Sequence, residues 1–151
     1  MQIQSAVPRH FDAIRQLLSE SDLPDKDLTP AHLEHFFVAF DKNALIGVVG
    51  AELFDDVALL RSLVVAPSCR GDGVGCRLAD AIEQYARRQG ITALYLLTTT
   101  AADYFERRGY APIARASLPD PLQATDEVPR LCPSSAICMR TRIDAASEEQ
   151  P

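Results

Sequence analysis

The chain has 151 residues, enough for one well-packed domain and too few for two independent ones. Hydrophobic residues make up 47% and charged residues 24%, ordinary values for a water-exposed globular chain. A formal net charge of −6 argues against broad electrostatic binding to nucleic acid or to an anionic membrane, since both need a basic surface.

The opening residues Met1–Ser5 lack the basic-then-apolar layout of a signal peptide, and no apolar run reaches bilayer length. The expected location is therefore the cytoplasm. Cys69, Cys76, Cys132 and Cys138 form no C-x-x-C pair, so free thiols and no metal site are expected.

Ile3–Val7 reads as a strand closed by Pro8, and Phe11, Ile14, Leu17 and Leu18 follow at helical spacing. Ser21–Leu28 is a polar loop, either overhanging a site or simply connecting. Thr29-Pro30 has the form of an N-cap and a first-position proline, and opens a second short helix carrying Leu33, Phe36 and Phe37. Ala44–Phe54 and Val57–Val65 are β-rich runs around the Asp55-Asp56 turn, a hairpin of central strands. A long helix then carries a stripe of Val74, Leu78, Ala81, Ile82 and Tyr85, and Gly90 ends it. Strand Ile91–Leu97, helix Ala101–Arg108 with Gly109 after it, and strand Tyr110–Ala114 come next. Ser117–Leu131 is a proline-rich loop or a loop plus a helical turn, and Ile137–Ile143 a final strand. The order is α+β, with helices against a mostly antiparallel sheet in a single domain over residues 1–143. Residues 144–151 form a polar tail.

Between strand and long helix stands Arg70-Gly71-Asp72-Gly73-Val74-Gly75. Three alternate glycines permit a tight turn with main-chain N–H groups unscreened by side chains. The helix start adds unpaired N–H groups and a positive dipole end, so the segment is an anion cradle, with Arg70 and Arg77 at its rim. A dinucleotide fingerprint would need glycine where Cys76 stands, and a nucleotide-hydrolase loop would need a following Gly-Lys-Ser/Thr that is absent.

Arg70-x-x-Gly73-x-Gly75 after an apolar strand ending at Pro67 resembles the pyrophosphate-binding signature of the GNAT (GCN5-related N-acetyltransferase) superfamily. Phe105-Glu106-Arg107-Arg108-Gly109-Tyr110 is similar to that family's aromatic-x-x-x-Gly-aromatic segment. The resemblance runs from Ile3 to Ile143. It implies a splayed sheet of about six to seven strands flanked by about four helices, with acetyl-CoA as co-substrate. Leu63, Val64 and Val65 would meet pantetheine, Gly71, Asp72, Gly73, Val74, Gly75 and Cys76 the pyrophosphate, and Arg70 and Phe105 would complete the cofactor site. A homodimer is common among such relatives. Leu97–Thr100 with Tyr104–Gly109 resembles the acetyltransferase domain of N-acetylglutamate synthases. Leu60–Leu63 and Cys132–Ala136 resemble short acetyltransferases associated with arsenic-resistance operons. The implied reaction is acetyl transfer to a small, amino-acid-like primary amine, related to arsenic resistance, by direct attack in a ternary complex.

That chemistry needs a base for the amine proton, a polarised thioester and a route to protonate the thiolate. Many relatives carry a glutamate where Leu59 stands and a tyrosine acid where Phe105 stands. Tyr104 points about 100° away on a helix and does not inherit the acid role. Glu52, on the first hairpin strand, is the remaining base candidate, set against an ordinary solvent-facing glutamate. Arg61 interrupts an apolar strand, and burying it unpaired is costly. It reads as a fork for an acceptor carboxylate, or else as a salt-bridge partner of Asp55, Asp56 or Glu52. Ser62 and Ser135 are the other acceptor-side candidates; Pro133 replaces a basic residue of the glutamate synthases. Cys132 lines a pocket or merely packs. His10, His32 and His35 form no metal constellation and read as surface or packing residues. Two rival readings stand beside the enzyme: a non-catalytic acyl-CoA-binding module, which keeps the glycine turn and loses the chemistry, and an acetyltransferase of protein tails.

Overall fold

The computed structural model describes residues 1–124 and 136–143. Strands β1 (Gln2–Ser5), β2 (Phe36–Asp41), β3 (Ala44–Phe54), β4 (Val57–Val65), β5 (Ala93–Thr98), β6 (Ala111–Ile113) and β7 (Ile137–Arg142) are joined by helices α1 (Phe11–Glu20), α2 (Val74–Arg88), α3 (Ala102–Arg107) and α4 (Asp120–Gln123). The strand order is β1-β2-β3-β4-β5-β7-β6. The β1–β2, β2–β3, β5–β7 and β6–β7 pairs are antiparallel and β4–β5 is parallel. This is the mostly antiparallel α+β arrangement expected, and the bounds of β3 and β4 coincide with the two sequence runs.

One expectation fails. The second helix does not reach Phe36 and Phe37: a 3-10 turn covers Pro30–His35, and those residues begin β2. The run Phe36-Phe37-Val38-Ala39-Phe40 is aromatic and β-branched, and it is paired on both sides, by β1 and by β3. Two ladders outweigh the helical preference that the capped start suggests.

The chain forms two compact units. The first comprises Met1–Glu52 and Leu60–Tyr85. Its core joins Ile14, Leu17 and Leu18 of α1 to Leu28, Leu33, Phe36, Val38, Val48 and Val64. Gly47 lets α2 lie close on β3, because a Cβ there would stand 2.8 Å from Leu78 Cδ1 and 3.4 Å from Val74 Cγ1. Within α2 the fully buried positions are Leu78, Ala79, Ile82 and Ala86, while Ala81 and Tyr85 are half-buried, so the buried stripe lies slightly round from the expected one.

The second unit comprises Leu53–Leu59 and Ala86–Pro151. Its core cluster is Leu59, Ala93, Tyr95, Leu118, Leu122 and Cys138. Burial pushes the Cys138 thiol above its ordinary range, against the opposing charge of Arg115. Gly90 and Gly109 adopt φ +83° and +101° at the ends of α2 and α3. Ile91 and Tyr110 donate back to the carbonyls of Ala86 and Phe105, so both helices end in the left-handed glycine cap. Ser135, Cys132 and Pro133, the later part of the 117–131 loop, and residues 144–151 lie outside the described residues.

Candidate functional site

The glycine turn is built from main chain. Gly71 and Gly73 have φ +89° and +80°, the region that L side chains avoid, and nothing lies within 4 Å of a Cβ placed at either. Gly71, Asp72, Gly73 and Cys76 are exposed, whereas Val74 is buried and anchors the helix start. Arg77 N–H donates to Gly73 O at 3.1 Å, so the N–H groups of Val74 and Gly75 precede the first intrahelical bond at the positive end of the helix dipole. The Nε of Arg70 donates to Val65 O at 2.9 Å, tying the entrance of the turn to the end of β4.

The parallel ladder pairs Val57–Leu59 with Ala93–Tyr95. β4 continues through Val65, so among the described residues the main chain of Leu60–Val65 lies beyond that ladder. Val64 packs in the core of its unit, and Leu63 and Val65 are half-buried. Ser62 interrupts the strand with φ +64°, a conformation costing a non-glycine residue about 1–2 kcal/mol.

Arg61, next to that kink, is fully buried. Its Nη1 donates to Asp27 Oδ2 at 2.5 Å and to Glu52 Oε2 at 2.8 Å. Nη2 donates to Asp27 Oδ1 at 2.9 Å and to Pro24 O at 3.4 Å, and Nε to Ser62 Oγ at 3.0 Å. A guanidinium has five N–H donors, and these bonds use all five. The fork proposed for an acceptor carboxylate is thus filled by the protein's own Asp27. Of the salt-bridge partners named as the alternative, Glu52 is present. Side-chain exposure rises from 0% at Arg61 through 6% at Asp27 to 17% at Glu52, so Glu52 is the end of the network that meets solvent. Burial raises the Asp27 carboxyl, but the hydrogen bonds and charge of Arg61 outweigh it and hold that carboxyl below its ordinary range.

His32 joins this group. One of its ring nitrogens and single carboxylate oxygens of Asp27 and Glu52 lie within 4.8 Å of one another. That spacing suits metal ligation, but the Arg61 guanidinium already bonds both carboxylates and sets one positive charge between them. The Nδ1 of His32 accepts the N–H of Thr29 at 3.0 Å, closing the 3-10 turn that Thr29-Pro30 opens. In that bond Nδ1 is the acceptor, which leaves Nε2 as the nitrogen that can donate.

Asp27 is the residue sequence reasoning missed, and His32, read there as a surface or packing residue, lies beside it. An arginine inside an apolar strand demands carboxylates, and the acidic loop Asp22, Asp25, Asp27 was their distant source. Phe105 is 5% exposed and stacks edge-on with Tyr110 at 5.3 Å, a core position in the second unit. Leu59 is wholly buried.

Residues 6–110 match the family model described as Acetyltransferase (GNAT) family. An amino-acid acetyltransferase of Pseudomonas fluorescens is 41% identical over 96 residues, covering 62% of this chain and 22% of the relative. One of Pseudomonas putida is 42% identical over 60 residues, 40% of this chain and 14% of the relative. The chain thus spans well under a quarter of the length of these curated relatives. Among solved structures, the N-acetylglutamate synthase of Neisseria gonorrhoeae complexed with coenzyme A and L-arginine has a TM-score of 0.80 at 23% identity, over 94% of this chain and 33% of that one. A Mycobacterium tuberculosis protein in complex with CoA and NLQ has a TM-score of 0.78 at 17% identity, over 95% and 99%. Both likenesses are of fold.

Proposed function

This chain belongs to the GNAT acetyltransferase family, and on that premise we propose that it transfers the acetyl group of acetyl-CoA to the primary amine of a small, amino-acid-like acceptor by direct attack in a ternary complex. Acetyl-CoA supplies the activated acyl group. Gly71–Cys76 hold its pyrophosphate through main-chain N–H groups, which is why the two positive-φ glycines matter more than the charge of Arg70 or Arg77. The main chain of Leu63–Val65 holds pantetheine, and one of its N–H groups polarises the thioester carbonyl.

The observation that carries the catalytic part is the setting of Glu52. Arg61 binds its Oε2, and among the described residues Oε1 is left to accept. Glu52 takes one proton from the acceptor ammonium, and the neutral amine attacks the thioester carbon. The C–S bond breaks, the nitrogen's second proton passes through water to the departing thiolate, and Glu52 later returns its proton to solvent. A thiol of pKa about 8.5 needs no strong acid to leave, which suits a chain with Phe105 in place of tyrosine. Support for an amino-acid-like acceptor comes from the amino-acid acetyltransferases that the chain resembles over 96 residues. Arsenic-bearing amino-acid analogues belong to the same acceptor class. Ser135 stays an acceptor-side candidate, and a homodimer in the cytoplasm is the expected form. No helix among the described residues is long and apolar enough to cross a membrane.

The test is CoA release from acetyl-CoA with free amino acids, arsenical amino-acid analogues and basic peptides. Release that depends on a free amino acid or its analogue is the expected result. Preference for peptides would move the acceptor to protein tails. Tight acetyl-CoA binding with no release for any amine would favour the non-catalytic module.

A further inference from the structure

The Arg61 network has more order than neutralising a buried cation requires. Asp27 takes both arms of the guanidinium, through Oδ1 and Oδ2, whereas Glu52 receives one N–H on one oxygen. A bidentate carboxylate fixes the guanidinium plane. With the plane fixed, the direction of the remaining Nη1–H is fixed too, and with it the carboxylate of Glu52. Asp27 therefore acts on Glu52 without touching it through a hydrogen bond of its own.

We propose that Asp27 is the positioning residue of the acceptor site: through Arg61 it aims Glu52 with Oε1 open to the amine. The inference rests on Glu52 as the base. The charged and titratable groups around Glu52 include Arg61 on β4, Asp27 at the end of the 21–28 loop and His32 on the 3-10 turn. His32 is held by its Nδ1 on the N–H of Thr29. Pro24 O binds the same guanidinium, so the loop carrying Asp27 is fastened at two points. Arg15 pairs with Asp25 at 3.5 Å in the same loop.

Neutralising Asp27 has a definite sign. In Asp27→Asn the whole charge of Arg61 falls on Glu52, and a neighbouring anion disappears. Both changes favour ionised Glu52 and make it a weaker base. Turnover should fall about 10-fold or more, from the weaker base and from loss of aim. The acid limb of the kcat profile should move to lower pH, and KM for acetyl-CoA should stay within about 2-fold, since the glycine turn is untouched. Asp27→Glu, which keeps a two-oxygen acceptor, should recover part of the rate and return the acid limb toward its original position.

The deciding experiment pairs those kinetics with a readout independent of turnover. The side-chain carboxyl 13C signal of Glu52, assigned by its loss in Glu52→Gln, is titrated in the full chain and in Asp27→Asn. A midpoint moved to lower pH in Asp27→Asn supports the coupling, even were the chosen amine a poor acceptor. An unmoved midpoint, or an Asp27→Asn protein that is less stable yet keeps kcat and its pH profile, overturns it and leaves Asp27 a purely structural partner of Arg61. The Glu52 reading fails separately, on full turnover by Glu52→Gln.

Discussion

The glycine turn and the Arg61 network, to which the proposed reaction gives neighbouring steps, are built in opposite ways. The turn is main chain: Gly71 and Gly73 at positive φ, nothing near their missing Cβ atoms, and N–H groups before the first bond of α2. The network is side chain: a wholly buried guanidinium with every donor used, gathered from the 21–28 loop, β3 and β4. A main-chain cradle tolerates exposure and depends on local conformation. A buried charge cluster depends on distant residues staying in register, and one missing member leaves an uncompensated charge.

The difference is open to breaking at the network first. Arg61→Ala leaves Asp27 and Glu52 facing each other without their cation, and should cost about 3–5 kcal/mol in urea unfolding along with nearly all activity. The same network should show in acid. Because the folded Asp27 carboxyl lies below its ordinary value, its contribution is fully present above about pH 3.9 and is lost as pH falls through the folded value. Asp27→Asn should flatten that part of the stability–pH curve.

Breaking the turn should look different. Gly73→Ala places a Cβ at φ +80° in open space, so its cost is backbone strain of about 1–2 kcal/mol, not a clash. KM for acetyl-CoA should rise roughly 10-fold with kcat little changed, a loss of uniform binding. A shift confined to kcat would mean that the turn does more than hold the pyrophosphate.

A smaller test uses two copies of one local device. Val7-Pro8-Arg9-His10 and Thr29-Pro30-Ala31-His32 each close a 3-10 turn by a backbone N–H donated to histidine Nδ1, at 3.1 and 3.0 Å. His10 is buried and stacks on Phe40 at 5.2 Å, and burial, helped by Arg9, pushes its pKa down. Its contribution to stability is therefore present above about pH 6.5 and is lost as pH falls below it. His10→Gln keeps an acceptor for the cap and should remove that slope while leaving the kcat profile unchanged. A changed kcat profile would show that the cap itself, and not the carboxylates beside His32, governs the chemistry.

The same contrast explains what the sequence discloses. The turn's conformation is written in adjacent residues, so glycine spacing and the following helix announce it. The hairpin bounds were equally legible, because Asp55-Asp56 separates two uninterrupted β-rich runs. Arg61 was legible only as a problem, a charge in an apolar strand. Its answer, Asp27, lies 34 residues away in a loop with no periodicity. β2 was hidden because Thr29-Pro30 announces a helix, and only pairing with both β1 and β3 decides that Phe36 leaves it. Phe105 carried a family motif, yet its own packing against Tyr110 places it in a core.

The central claim is that Glu52 takes the proton from the acceptor amine. Its most direct test is amine-dependent CoA release by Glu52→Gln, an isosteric change that keeps an oxygen for Arg61 and removes the base. A fall in kcat of about 10²–10⁴-fold with acetyl-CoA affinity retained is the predicted result. Full turnover with an unchanged pH profile would contradict the account and return Glu52 to the role of Arg61's counter-ion.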